Sequence, residues 1–231
     1  MTTASTLSFG ERLAESPVYK NFCDHRFFRA VDGLDLPRAQ AAILIEQWWH
    51  PLHYFPEFLA RCVAVLPDIA SKTAITRILN QEVGDGDASR AHEVIYLDSM
   101  RRCGFDPDRI SNTAPYQETA ALVEGYRNAT GTREAALGFI FATETTDLLM
   151  VSSIGKAIER TTGISDNEWV AIHVSQEPDH VEEANHALLA DFTSAEEQAV
   201  LETADEMWRL WTAFFDRLAI ESDVRANAPT K

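Results

Sequence analysis

The chain has 231 residues, 45% hydrophobic and 24% charged, an ordinary globular composition that can bury a sizeable core without disulfide or zinc staples. Its formal charge of −16 argues against nucleic acid or an anionic membrane as a partner, because both need a basic face to replace counterions. Cys23, Cys62 and Cys103 are odd in number and far apart, forming neither a CxxC site nor a disulfide framework, which fits a reducing cytoplasm.

Helical periodicity dominates and alternating β-branched runs are nearly absent, so the fold class is all-α. In chain order the pattern predicts helices over Pro17 to Val31, Pro37 to Val65, Asp68 to Glu82 and Ala88 to Cys103, then Ala114 to Ala129, Thr132 to Thr161, Asn167 to Ala190 and Ser194 to Ile220. The breaks between them carry turn and cap residues: "DGLDLP", "LPD", "GDGD", "CGFDPD", "ATGT", "TGISDN" and "DFTSAEE". Ser194 with Glu197 reads as a capping box. No linker divides the chain, so residues 1–222 are expected to form one domain, a compact bundle of about seven or eight helices, with residues 223–231 as a disordered tail. The N-terminal stretch has no apolar run of signal-peptide length, and no segment approaches about 18 uninterrupted apolar residues.

The segment "HVSQEPDH" places His173, Glu177 and His180 at i, i+4 and i+7, within an arc of roughly 60° on one helix face. Imidazole and carboxylate together suit a first-row transition metal, while a surface helix that is merely polar explains the spacing equally well. Glu183 and His186 rotate away from this stripe toward the solvated side, and Pro178 removes a hydrogen bond to Val174 and should kink or loosen the helix. Glu144 sits in the apolar run "AALGFIFATETTDLLMVSSI", where a carboxylate is costly to bury without compensation, and Asp147 lies one turn further on as a weaker candidate. Glu82 ends one helical pattern and His92 lies in the next. On an unbroken helix they would stand about 80° apart, but "GDGD" permits a break that reunites them, with Asp85 and Asp87 as turn and cap residues. Glu82, His92, Glu144, His173, Glu177 and His180 make three carboxylates and three histidines, an inventory that suits two metal ions.

At these residues the sequence resembles the haem-oxygenase-like di-iron oxidases and oxygenases, relatives in fold of thiaminase II and pyrroloquinoline-quinone synthase. "EQWWHPLHYFPEFLARCV" resembles the family's early aromatic-rich helix with its Phe-Pro turn. "NQEVGDGDASRAHEVIYLDSMRRCGFDPDRI" resembles the segment in which a glutamate precedes a histidine, and "HVSQEPDH" is similar to a His-x3-Asp-x2-His signature, with Glu177 standing where the family usually has aspartate. The resemblance implies that Glu82, His92 and His173 serve one iron, and that Glu144, Glu177 and His180 mainly serve the other. It further implies dioxygen as co-substrate, a small amino-acid- or amine-derived substrate, an external electron donor and a homodimer. Some relatives add a carboxylate from an earlier helix, for which Glu46 or Glu57, nearly eclipsed on a helix, are the candidates here.

Trp48, Trp49, Tyr54, Phe55, Phe139 and Phe141 are candidate pocket-wall residues as well as ordinary core, and Tyr96 a structural hydroxyl. The amphipathic run "EMWRLWTAFFDRLAI" could pack on the bundle or on a second subunit. Two other readings compete with the di-iron enzyme: a metal-free enzyme on the same scaffold, and a non-enzymatic iron-binding helical protein. Paired Glu-x-x-His motifs on two separate helices, as a ferritin-like store would carry, are absent from the sequence.

Overall fold

A computed structural model describes residues 9–33, 36–188 and 192–221. The proposed tail at 223–231 and the end of the helix predicted to reach Ala190 lie outside the described residues. Seven helices of eleven or more residues build the bundle: α4 (Arg38–Val65), α5 (Ile69–Glu82), α6 (His92–Arg102), α8 (Gln117–Asn128), α9 (Arg133–Thr162), α10 (Glu168–Ala187) and α11 (Ser194–Glu221). Four short helices, α1 (Phe9–Ala14), α2 (Pro17–Cys23), α3 (Arg26–Ala30) and α7 (Pro107–Asn112), complete it, and no strand occurs among the described residues.

The differences from the expected helices are local. The helix expected over Pro17 to Val31 is two, because the His25 ring accepts from the Phe27 N–H and caps a new start at Arg26. Asp106 caps α7 inside what reads as a loop. The capping box at the start of α11 falls one residue earlier than expected: Thr193 N–H donates to the Glu196 carboxylate at 2.7 Å and Glu196 N–H to Thr193 Oγ1 at 3.3 Å, while Glu197 pairs with Arg12.

α9 is the central helix. Its middle, from Ala136 to Glu144, is buried on every side, and it packs along α11 and α10 and against α4. By length and composition it would suffice to cross a membrane, but 72% of its most apolar window is buried inside the bundle. Gly138 lets α11 approach closely, since a Cβ there would lie 2.6 Å from the Val200 carbonyl oxygen and 2.9 Å from the Ala204 nitrogen. Trp208, Trp211, Phe214 and Phe215 of α11 are buried in the continuous core, so the aromatic face considered for subunit pairing packs within the chain. α10 runs unbroken through Pro178, with the lost hydrogen bond tolerated inside a helix held on both flanks by α5 and α9. α4 likewise contains Pro51 and Pro56 without ending, so the Phe-Pro element is helix rather than turn.

Candidate metal centre

α5, α6, α9 and α10 each send ionisable side chains into one buried space. Glu82 is the last residue of α5 and His92 the first of α6. Between them Gly84, Asp85 and Gly86 all take positive φ, reversing the chain so that His92 Nδ1 lies 3.0 Å from Glu82 Oε2. Asp85 and Asp87 are turn and cap residues: Asp85 Oδ1 accepts from the Asn80 amide at 2.5 Å and Asp87 from the Ser89 N–H at 3.0 Å. α10 supplies the i, i+4, i+7 stripe of His173, Glu177 and His180, and α9 supplies Glu144. His180 Nδ1 stands 3.3 Å from Glu144, 3.9 Å from Glu177 and 4.0 Å from Glu82. The His92 and His173 rings lie 4.7 Å apart. All six residues singled out in the sequence thus meet in one place, each no more than 5% exposed.

Three further groups orient the imidazoles. Gln176 Oε1 accepts from His92 Nε2 at 2.9 Å, Gln81 Oε1 from His180 Nε2 at 2.7 Å, and the Trp169 carbonyl from His173 Nδ1 at 2.7 Å. Each contact places a ring proton on the outer nitrogen and turns the inner nitrogen toward the carboxylates, where its lone pair becomes available to a metal once any proton held there is released. The sequence gives no sign of the two glutamines, because a neutral amide becomes recognisable only beside its partner. Asp147 joins the same space, its Oδ2 3.9 Å from His173 Nε2.

The electrostatics are those of carboxylates and imidazoles crowded together out of water. Glu82 is raised by burial but lowered more strongly by the charge and hydrogen bond of His92, and by His180 and His173, to about 2. Burial, then Glu144 and Glu82, push Asp147 up to about 7. Burial, then Asp147 and Glu144, push Glu177 well above the usual carboxylate range. Burial, reinforced by His92, lowers His173 to about 4, while for His180 burial is overcome by the hydrogen bond and charge of Glu144, raising it to about 9. Glu144 Oε1, Glu177 Oε1 and Asp147 Oδ2 are buried carboxylate oxygens with no hydrogen-bond donor beside them. Such orphaned atoms are costly unless a further group satisfies them. Glu144, Glu177 and His180 offer three ligand atoms within 4.8 Å of one another, and mixed nitrogen and carboxylate donors fit a first-row transition metal.

The space among these groups is about 30 Å³, and its wall includes Trp48, Leu52, Phe55, Tyr126 and Trp211. Of the expected wall aromatics Trp48 and Phe55 line it. Trp49 instead stacks on His53, Tyr54 lies under Arg127, Phe139 packs on Tyr126, and Phe141 faces Gly10. The Tyr96 hydroxyl donates to the Ile45 carbonyl at 2.7 Å. Neither earlier-helix carboxylate takes part. Glu46 is held by Arg109 at 2.6 Å and Thr113 at 3.2 Å, and Glu57 pairs with Arg61 at 2.7 Å on the surface. Glu183 turns to Arg77, and the His186 side chain is half-exposed.

This arrangement of helices is a haem-oxygenase-like fold. The chain superposes with a TM-score of 0.71 on a domain of unknown function with a heme oxygenase-like fold from Shewanella denitrificans, at 18% identity over 96% of this chain and 91% of that one. It is also similar to a CADD-like protein of unknown function from Nostoc punctiforme (TM-score 0.71, 16% identity, 91% and 89% of the two chains). A TenA homolog from Pseudomonas syringae gives a TM-score of 0.71 at 12% identity over 95% and 96%. No curated protein matches the chain. The sequence pattern of iron-containing redox enzymes matches residues 43–212, a span that holds all six site residues, and the chain belongs to that family.

Proposed function

We propose that this protein is a non-haem di-iron, dioxygen-dependent oxidase or oxygenase acting on a small amine- or amino-acid-derived metabolite. The observation that carries the reading is the set of three imidazoles, each anchored through its outer nitrogen and aimed with its inner one into a cluster of buried, unsatisfied carboxylate oxygens. His92, His173 and His180 would supply the neutral donors, and Glu82, Glu144 and Glu177 the anionic ones. When bound, the irons supply the electrons that activate dioxygen.

The chain's own residues do the rest. Gln81, Gln176 and the Trp169 carbonyl hold the imidazoles in one orientation, each with a proton on its outer nitrogen. Trp48, Leu52, Phe55 and Trp211 exclude water and present an apolar face to the substrate. The Tyr126 hydroxyl is paired with Thr143 Oγ1 at 2.9 Å and, its pKa raised by burial, keeps its proton beside the cavity. A free space of about 30 Å³ admits about two water-sized ligands, so an organic substrate enters by displacing part of this wall. The charge of −16 favours approach of a cationic amine over an anion.

Covalent thiol catalysis on the same scaffold is disfavoured, because none of the three cysteines lines the cavity and burial raises the Cys62 thiol. The test is anaerobic Fe(II) titration of metal-free protein, followed by mixing with oxygenated buffer and a panel of amines, amino acids and fatty acids. Two irons per chain and dioxygen uptake accelerated by one amine sustain the proposal. Absence of iron uptake refutes it in favour of a metal-free enzyme.

A further inference from the structure

The cavity is lined by four carboxylates, not the three in the sequence-based set: Glu82, Glu144, Asp147 and Glu177. The family resemblance divides the six residues into Glu82, His92 and His173 on one side and Glu144, Glu177 and His180 on the other, and the ligand atoms of the second triplet lie within 4.8 Å of one another. Glu82 touches both halves, with Oε2 3.0 Å from His92 and Oε1 4.0 Å from His180. Asp147 does the same from α9, one turn beyond Glu144: its Oδ2 lies 3.9 Å from His173 Nε2, and its carboxylate interacts directly with that of Glu177. The Asp147 side chain is 16% exposed, yet Oδ2 itself is buried and has no hydrogen-bond partner. Glu144 Oε1 and Glu177 Oε1, on side chains 2% and 3% exposed, are orphaned in the same space.

Charge balance distinguishes the two ligand sets. Two divalent cations with three carboxylates and three neutral imidazoles leave one uncompensated positive charge in a buried site, whereas a fourth carboxylate makes the assembly neutral. Uncompensated charge in such surroundings costs several kcal/mol on the order expected for a buried ion, so the neutral set is favoured. The side-chain hydrogen bond of Asp147 goes to another buried carboxyl group, Glu177, so the pair must hold a proton that a cation would replace, whereas Glu46 is paired with Arg109 and Thr113.

We infer that Asp147 is a fourth anionic member of the metal-binding set and spans its two halves as Glu82 does. This rests on the metal reading given above. The aspartate belongs to the central helix rather than to an earlier one, and the candidates from the earlier helix are paired elsewhere.

The test is anaerobic titration of metal-free full-length protein with Fe(II), and separately with Co(II), comparing wild type with Asp147→Asn and Asp147→Ser. Co(II) reports coordination through its visible bands, independently of turnover. Circular dichroism melts of the metal-free proteins accompany each titration. The expected result is two ions in wild type. In both variants one ion should bind at least about tenfold more weakly, with altered Co(II) bands and no loss of metal-free melting temperature. Two ions bound to both variants with wild-type affinity and spectrum would overturn the assignment while leaving the di-metal reading intact. So would a lowered metal-free melting temperature with unchanged metal binding, which marks a structural carboxylate. If wild type takes up neither metal, the underlying reading fails and the role of Asp147 fails with it. The serine variant serves where the asparagine variant does not fold.

Discussion

Replacing Gln81 by leucine removes the acceptor that holds His180 without touching any proposed ligand. Gln81 Oε1 lies 2.7 Å from His180 Nε2, and the contact ties the end of α5 to the middle of α10. Leucine is close in size but leaves the Nε2–H of a 3%-exposed imidazole without a partner. Leaving such a donor unmade costs ~1–3 kcal/mol, and Gln81 is only half-buried, so water offsets part of it. The lower half of that range, ~1–2 kcal/mol, corresponds to roughly 5- to 30-fold in an equilibrium constant, overlapping the lower part of the ~10- to 100-fold seen when the partner of a ligating histidine is lost. Competition between the protein and a chromophoric chelator for Co(II) measures this directly. Gln81→Leu should weaken binding of the ion held by His180 by that factor, while Gln81→Glu, which keeps an acceptor, should retain most of the affinity. Gln176→Leu should act similarly through His92, to which Gln176 is bonded at 2.9 Å. Wild-type affinity in Gln81→Leu would refute the argument that the outer contact fixes the donor nitrogen.

In the metal-free protein Asp147, Glu177 and His180 are all shifted upward, the first to about 7 and the last to about 9, so from pH 6.5 to 9 the folded state binds more protons than the unfolded chain. The share contributed by His180 is fully present below pH 6.5 and is lost as pH rises to about 9, while the share of the two carboxylates already falls from about pH 4, where His173, lowered to about 4, opposes it. Thermal melts should show the metal-free melting temperature dropping across the window, and a rise there would contradict the protonation pattern. Glu46→Gln should leave metal stoichiometry unchanged, because Glu46 is bound to Arg109 and Thr113; loss of an ion in the same titration would return it to the site. Gly138→Ala should destabilise the fold by about 1–3 kcal/mol, since the added methyl meets Thr203 Oγ1 and the α11 backbone, and a denaturant midpoint equal to wild type would show that α11 can move aside.

How far the sequence can be read depends on the kind of information each feature carries. The long helices are written in local periodicity, and α5, α9 and α10 begin at Asp68, Thr132 and Asn167 because their side chains cap the first turn. The α10 stripe is legible for the same reason, since spacing on one helix fixes which residues share a face. Glu82 and His92 are legible only as a pair with a break between them; the three successive positive-φ residues that bring them together follow from "GDGD", but the 3.0 Å approach does not. Glu144 stands out because its neighbours are apolar. Asp147, one turn later in the same helix, is ambiguous in sequence because its role is decided by where α10 lies, and Glu46 looks like a ligand until Arg109, from another helix, is seen beside it. Both cases turn on the same physical point. A buried carboxylate needs a compensating charge or donor, the sequence shows the need, and only tertiary packing shows whether the compensation is an arginine or a place left for a metal ion.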